Sequence, residues 1–339
     1  MFALFGFIGA LLAGALAESV MTLTDPSGDG TNPPADDSDA PEGAGAAEQG
    51  DLLDDPDPGE GAVSDDIPDA ADRPMALNGG MADDLISGGD AADTLTGDAG
   101  DDQLDAGEGD DILDAGDGDD LVWADGGNDV VQAGAGNDAV RGGDGDDLIA
   151  GESGDDSLAG GSGDDSIAGG WGLDSLLGGT GNDILDGGGD ADWLAGGEGD
   201  DLMAGGSGAD TLDGNDGNDS LWGAFPEGDD AEIDFLNGGA GDDTLILGAG
   251  DYGWGGDGAD SFTLSQWLGD GGFATITDYD AAEDQIVVVY DPALHADPQL
   301  SLQTAQDSSD VTILLDGAPV GLVMGGAGMT VAGISLLAA

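Results

Sequence analysis

From Gly79 onward the chain alternates small, acidic and aliphatic positions with a period of nine. Written in nines it runs GGMADDLIS, GGDAADTLT, GDAGDDQLD, AGEGDDILD, and continues without a slip to GNDGNDSLW, ending at Trp222. That is sixteen units over 144 residues. Position eight is aliphatic or methionine in every unit, from Ile86 and Leu95 through Met203 to Leu221, and position six is always aspartate. A fixed short period of this kind marks stacked turns of one solenoid. The x-aliphatic-x triplet predicts a three-residue strand whose central side chain points to one face. The GGxGxD segment predicts a tight loop, because glycine accepts positive φ and lets carbonyl oxygens turn inward. Two units, eighteen residues, then make one turn of a flattened right-handed coil.

The period breaks after Trp222 at GAFPEGDDAEIDFLN and returns as GGAGDDTLI around Asp243 and GGDGADSFT around Asp260. Beyond it come the β-type runs FATITDY, DQIVVVYD and DVTILLDGAPVGLVM, in which Asp316-Gly317 is a hairpin turn signal. A closing segment, MTVAGISLLAA, ends the sequence. Upstream, residues 1–17 carry no charged side chain and read as a helix approaching a bilayer span, as a signal region ending in Ala15-Leu16-Ala17, or as a packing or self-association segment. Residues 24–76 hold eight of the twelve prolines among acidic and small residues, the composition of a disordered, self-repelling tether. The expected organisation is an apolar segment at 1–23, an acidic linker at 24–78, repeats at 79–263 interrupted at 223–237, and a β-rich terminal region at 264–339.

Charge narrows the partners. The net charge is −73, with Arg73 and Arg141 the only basic residues apart from one histidine, so nucleic acid and anionic membranes are repelled and cations are attracted. There is no cysteine, hence no disulfide and no thiolate metal site. His295 alone cannot build a multi-histidine zinc site, and no nucleophile-elbow sequence accompanies it, so it reads as a loop histidine beside Pro298.

Stacking units eighteen apart sets Asp84 over Asp102 over Asp120 on one edge and Asp93 over Asp111 over Asp129 on the other. Left bare, such columns repel. Two aspartates and several loop carbonyls between successive loops supply the six or so hard oxygens that Ca²⁺ takes, whereas Mg²⁺ demands stricter octahedral geometry. One aliphatic side chain per nine residues cannot offset the ordering of so much glycine, so the cation is expected to drive folding. The uninterrupted array offers at most 14 such gaps. Ala82, Ala91 and Asp190 replace glycine at position four, and Asp98, Asp125, Glu152 and Asn215 replace it at position two. Weaker sites are expected in the first two units and near Asp190, because alanine tolerates left-handed geometry poorly. Position five, as at Asp146, is read as an outer-shell or solvating group.

The pattern GGxGxDxUx, with U an aliphatic residue, resembles the nonapeptide of RTX (repeats-in-toxin) proteins. That resemblance implies an all-β fold: a parallel β-roll stacked on calcium, with a β-rich C-terminal cap. It implies multiple Ca²⁺ ions held by the position-six aspartates Asp84, Asp93, Asp102, Asp111, Asp120, Asp129, Asp138, Asp147, Asp156, Asp165, Asp174, Asp183, Asp192, Asp201, Asp210 and Asp219, with Asp243 and Asp260 beyond the interruption. It further implies a secreted protein, free or held at the cell surface, exported by a type I apparatus that reads the terminal 264–339. The apolar residues 1–17 do not belong to that family picture, and membrane contact is expected through them alone. The expected role is structural and not catalytic, since 78 residues of apolar segment and tether precede the repeats and cannot bury a catalytic core. The alternatives are an adhesin or matrix component, binding a surface partner through Trp123, Trp193 and Trp222 on the roll faces, and a repeat-bearing hydrolase or toxin.

Overall fold

The computed structural model describes residues 73–223, 232–265 and 272–338. The apolar segment at 1–23, nearly all of the linker, and parts of the interruption and of the terminal region lie outside the described residues.

Alternate strands join two separate sheets, one of thirteen strands and one of fourteen, so each turn contributes one strand to each sheet. Within the uninterrupted array, 79–222, neighbouring strands are parallel and offset by eighteen residues: Ser157 pairs with Ser175 and Ala139, and Ser166 with Ile184 and Leu148. The nine-residue period fixes this register, because a shift by one residue would turn the aliphatic column outward.

Most of the repeat strands are six residues long, such as Ser166–Trp171, twice the length expected from the x-aliphatic-x triplet. They run through positions seven, eight and nine into one, two and three of the next unit. Positions eight and one both face inward, as Ile167 and Gly169 show. A strand needs only extended backbone and ladder partners, and the stacked turns supply both even where glycine contributes no side chain. The curl then comes from positions two and four, illustrated by Gly161 at φ 125° and Gly163 at φ 133°. A methyl on Gly163 would strike the Gly145 carbonyl one turn away, so close approach as well as φ demands glycine there. The substitutes Asp98, Asp125, Glu152, Asp190 and Asn215 do adopt positive φ, between 69° and 74°. Ala82 and Ala91 do not. Alanine lacks the local hydrogen bonds that make the left-handed region accessible to Asp and Asn.

Position eight forms the core. Leu95, Leu104, Ile149, Leu176, Leu185, Leu194, Met203, Leu212 and Leu221 are completely buried. The column meets one vacancy at Gly253, which pairs with Leu236. There Leu247, standing at position one of the opposing strand, reaches across, its Cδ1 2.8 Å from where a Gly253 Cβ would sit. Leu264 fills the space at Gly321 in the same way, at 2.6 Å.

The terminal region extends both sheets. The strand Gln285–Tyr290 lies between Ser261–Ser265 and Ile334–Ala338, all parallel. The strand Ala318–Val323 pairs in parallel with Ala274–Ile276 and antiparallel with Val311–Leu315, across the Asp316-Gly317 turn. Both turn residues have positive φ, 52° and 88°, as a type I′ hairpin requires. His295 sits in a surface loop, where its Nδ1 lies 2.6 Å from Asp316 Oδ2 and ties that loop to the turn. Among the described residues no helix is long and apolar enough to cross a membrane.

Candidate metal sites

Each position-six aspartate ends a loop and opens a strand. Two adjacent backbone directions therefore fix its side chain, which points along the stack into the interior of the edge. All eighteen are buried, Asp84 being the most exposed at 8%. Their Oδ1 atoms reach back to the preceding turn: Asp165 accepts the Asp147 N–H at 2.8 Å, and Asp183 accepts that of Asp165 at 2.8 Å. The same bond recurs from Asp84 to Asp102 and from Asp93 to Asp111 onward, so the two edges carry the two expected columns.

The second carboxylate oxygen is treated differently. From Asp93 to Asp201, and at Asp219 and Asp243, Oδ2 is buried and meets no hydrogen-bond donor. A buried acceptor left unsatisfied costs free energy, and a charged one costs more. Where position one of the unit is glycine, the Oδ2 atom points to it. A Cβ built on Gly187 would lie 2.5 Å from Asp192 Oδ2 and 2.5 Å from the Gly205 carbonyl oxygen of the next turn. Asp147 Oδ2 with Gly160 O, Asp156 Oδ2 with Gly169 O, and Asp183 Oδ2 with Gly196 O converge in the same manner beside Gly142, Gly151 and Gly178. Each cradle thus holds anionic and carbonyl oxygens and no donor, the chemistry of a hard-cation site. Among the described residues no three acidic or histidine side chains converge on one point, so carbonyl oxygens must complete any ligand set.

Burial dominates the electrostatics. Without a cation it pushes the Asp183 carboxyl from 3.8 to about 6, Asp165 to about 7 and Asp192 to about 8; the backbone N–H on Oδ1 pulls the other way, and neighbouring aspartates add repulsion. On the wetted surface the opposite holds at Asp200, where hydrogen bonds from Asn218 lower the carboxyl.

Three column members escaped the period. The Asp210 N–H donates to Asp234, the Asp234 N–H to Asp251, and the Asp260 N–H to Asp284. Asp234-Phe235-Leu236 and Asp284-Gln285-Ile286 retain the Asp-x-aliphatic signal but sit at intervals of 24 instead of eighteen. Asp251 is followed by Gly253 in place of the aliphatic residue and carries no such signal. The strand Phe235–Ala240 accordingly begins inside the interruption expected at 223–237. Both columns close on a carboxylate whose two oxygens are bound. Asp251 Oδ2 accepts the Gly248 N–H at 2.6 Å, and Asp284 Oδ2 accepts that of Asp280 at 2.6 Å.

The tryptophans divide. Trp193 is 45% exposed on the second sheet, whereas Trp222 is 7% exposed and is not available on a face, contrary to the reading above. Phe235, Tyr252 and Trp254, which that reading did not single out, stack near Trp193's side of the sheet with ring centroids 5.3 to 6.3 Å apart.

Comparison with known proteins places the repeats in a family. The profile of the RTX calcium-binding nonapeptide repeat matches residues 78–113, 105–140, 141–176, 168–203, 196–225 and 229–253, together just over half of the chain. No curated protein matches the sequence. Among solved structures, the AlgE6R3 subunit of the Azotobacter vinelandii mannuronan C5-epimerase is 25% identical over 43% of this chain and 78% of its own, with a TM-score of 0.24. The extracellular lipase LipA of Serratia marcescens is 16% identical over 60% of this chain and 40% of its own, with a TM-score of 0.17. With its nonapeptides stacked into a parallel β-roll along two buried aspartate columns, the chain belongs to the RTX calcium-binding repeat family.

Proposed function

We propose that this is a secreted protein whose repeats fold on binding calcium outside the cell, and that its role is structural or at the cell surface, without catalysis. One observation carries the reading: along the two columns, buried Oδ2 atoms without a hydrogen-bond donor lie beside position-one carbonyls of the next turn. The position-six aspartates from Asp84 to Asp219, with Asp243 and Asp260, would hold the ions between turns. Bound calcium supplies positive charge that cancels the repulsion along each column. The protein contributes the preset spacing of turns and the Oδ1 bonds that aim each Oδ2.

Such a chain stays extended where calcium is scarce and folds where it is plentiful, which suits export by a type I apparatus reading residues 264–339. Calorimetric titration tests the ligands: Asp147→Ala should lower the calcium stoichiometry of the full chain, and an unchanged stoichiometry would remove Asp147 from the set. Mass spectrometry of the mature protein from culture medium tests secretion and fixes the fate of residues 1–17; recovery from the cytosol alone would end that part of the reading.

A second reading, partner binding through the roll face, draws on Trp193 and the stacked Phe235, Tyr252 and Trp254. Sedimentation in calcium, with Phe235→Ala beside the native chain, tests self-association through that face.

A further inference from the structure

We infer that the position-five Asp and Asn side chains are positioning residues for the calcium loops, acting as hydrogen-bond acceptors and not through their charge. The inference rests on the reading that the adjacent position-six aspartates hold calcium.

The geometry shows two ladders running in opposite directions. At position six a side chain accepts an N–H from the preceding turn, as Asp147 does from Asp129 at 2.9 Å. At position five a side chain accepts an N–H from the following turn: Asp146 Oδ1 takes that of Asp164 at 2.9 Å, and Asn128 Oδ1 takes that of Asp146 at 3.2 Å. Position four in turn donates forward to a backbone carbonyl, Gly163 N–H to Thr180 O at 2.8 Å, and position seven donates backward, Ser166 N–H to Asp147 O at 2.8 Å. Successive N–H groups around the corner thus alternate forward and backward, which is the pattern of a parallel β ladder. Side-chain oxygens at five and six stand in where no backbone carbonyl can turn to accept. Where position five carries an oxygen, the next loop is clamped from both sides, and the residue beside its candidate ligand is held by the neighbouring turn.

Charge is not what the position selects. Asn137, Asn182 and Asn218 accept at 2.8, 2.9 and 2.8 Å. Asp119, Asp164 and Asp200 accept at 2.8 Å each. Anions and amides are interchangeable in that role.

One edge interrupts the ladder. Leu173, Ala191 and Ala209 occupy position five in three successive turns, and their side chains have no oxygen to offer. Asp155 still accepts the Leu173 N–H at 2.9 Å, but the ladder stops there. The same place exposes Trp171 and Leu173, at 73% and 57%. The loop of Asp192, whose Ala191 N–H faces a position-five leucine in place of an oxygen, is therefore less firmly held than its neighbours, and its site fills late.

The test is calcium titration of the full chain, read by calorimetry for stoichiometry and by circular dichroism for the folding midpoint. Asp146→Asn should match the native chain. Asp146→Ala should raise the calcium midpoint about 2- to 10-fold, the equivalent of one net hydrogen bond, at unchanged stoichiometry. Leu173→Asn, which offers the missing acceptor to Ala191, should lower the midpoint, whereas Leu173→Ala should not. Equal midpoints for Asp146→Ala and Asp146→Asn would overturn the proposal, as would loss of a calcium ion in Asp146→Asn. Full stoichiometry in Asp147→Ala would instead show that the underlying ligand reading is wrong, and the proposal would fall with it.

Discussion

Removing calcium at different pH values separates the two costs that the cation offsets. Eleven position-six aspartates have carboxyls pushed to between about 6 and about 8 by burial: Asp102, Asp120, Asp129, Asp147, Asp156, Asp165, Asp183, Asp192, Asp201, Asp219 and Asp243. In the unfolded chain the same groups titrate near 3.8. Between those values the roll binds more protons than the unfolded chain, so its stability in chelator rises as pH falls. The penalty is absent below about 3.8, grows through the interval and is complete above about 8. For a carboxyl moved from 3.8 to about 6, the unscreened penalty is about 3 kcal/mol. Water at the loop edges screens this to about 1 kcal/mol per group. Over eleven groups the total is on the order of 10 kcal/mol, comparable with the whole stability of an ordinary domain. In chelator the chain should therefore be coil at pH 8 and gain β-structure and compactness on acidification through pH 6 to about pH 4.5. Far-UV circular dichroism with size-exclusion chromatography reads both. Native-like β-structure in chelator at pH 8, or coil throughout the acid range, would refute the account.

Leu247→Ala should cost about 2 to 5 kcal/mol in calcium, because Leu247 fills the space that Gly253 leaves, and pairing it with Gly253→Leu should recover part of that loss in urea unfolding. Gly163→Ala, at φ 133° and against a carbonyl of the neighbouring turn, should lower stability far more than Gly317→Ala, whose surroundings are open. Leu176→Ala, at a completely buried position, should lower the calcium-saturated unfolding free energy by about 2 to 5 kcal/mol without changing calcium stoichiometry.

The nine-residue period by itself determined the two-sheet coil, the inward aliphatic column and the two aspartate edges, because each depends on residue type at a fixed local spacing. The Asp316-Gly317 hairpin was legible for the same reason: a two-residue turn is a local event. Only the stacked structure decided which distant residues complete the pattern. Asp234, Asp251 and Asp284 join the columns at intervals of 24 and 17, which no fixed period contains and which only contact between turns sets. Leu247 occupies the core for Gly253 from the opposite strand, a compensation invisible in either residue's own unit. Position five looked like a solvating charge because its chemistry is that of a surface residue; its partner is a backbone N–H eighteen residues away, and backbone donors leave no trace in sequence.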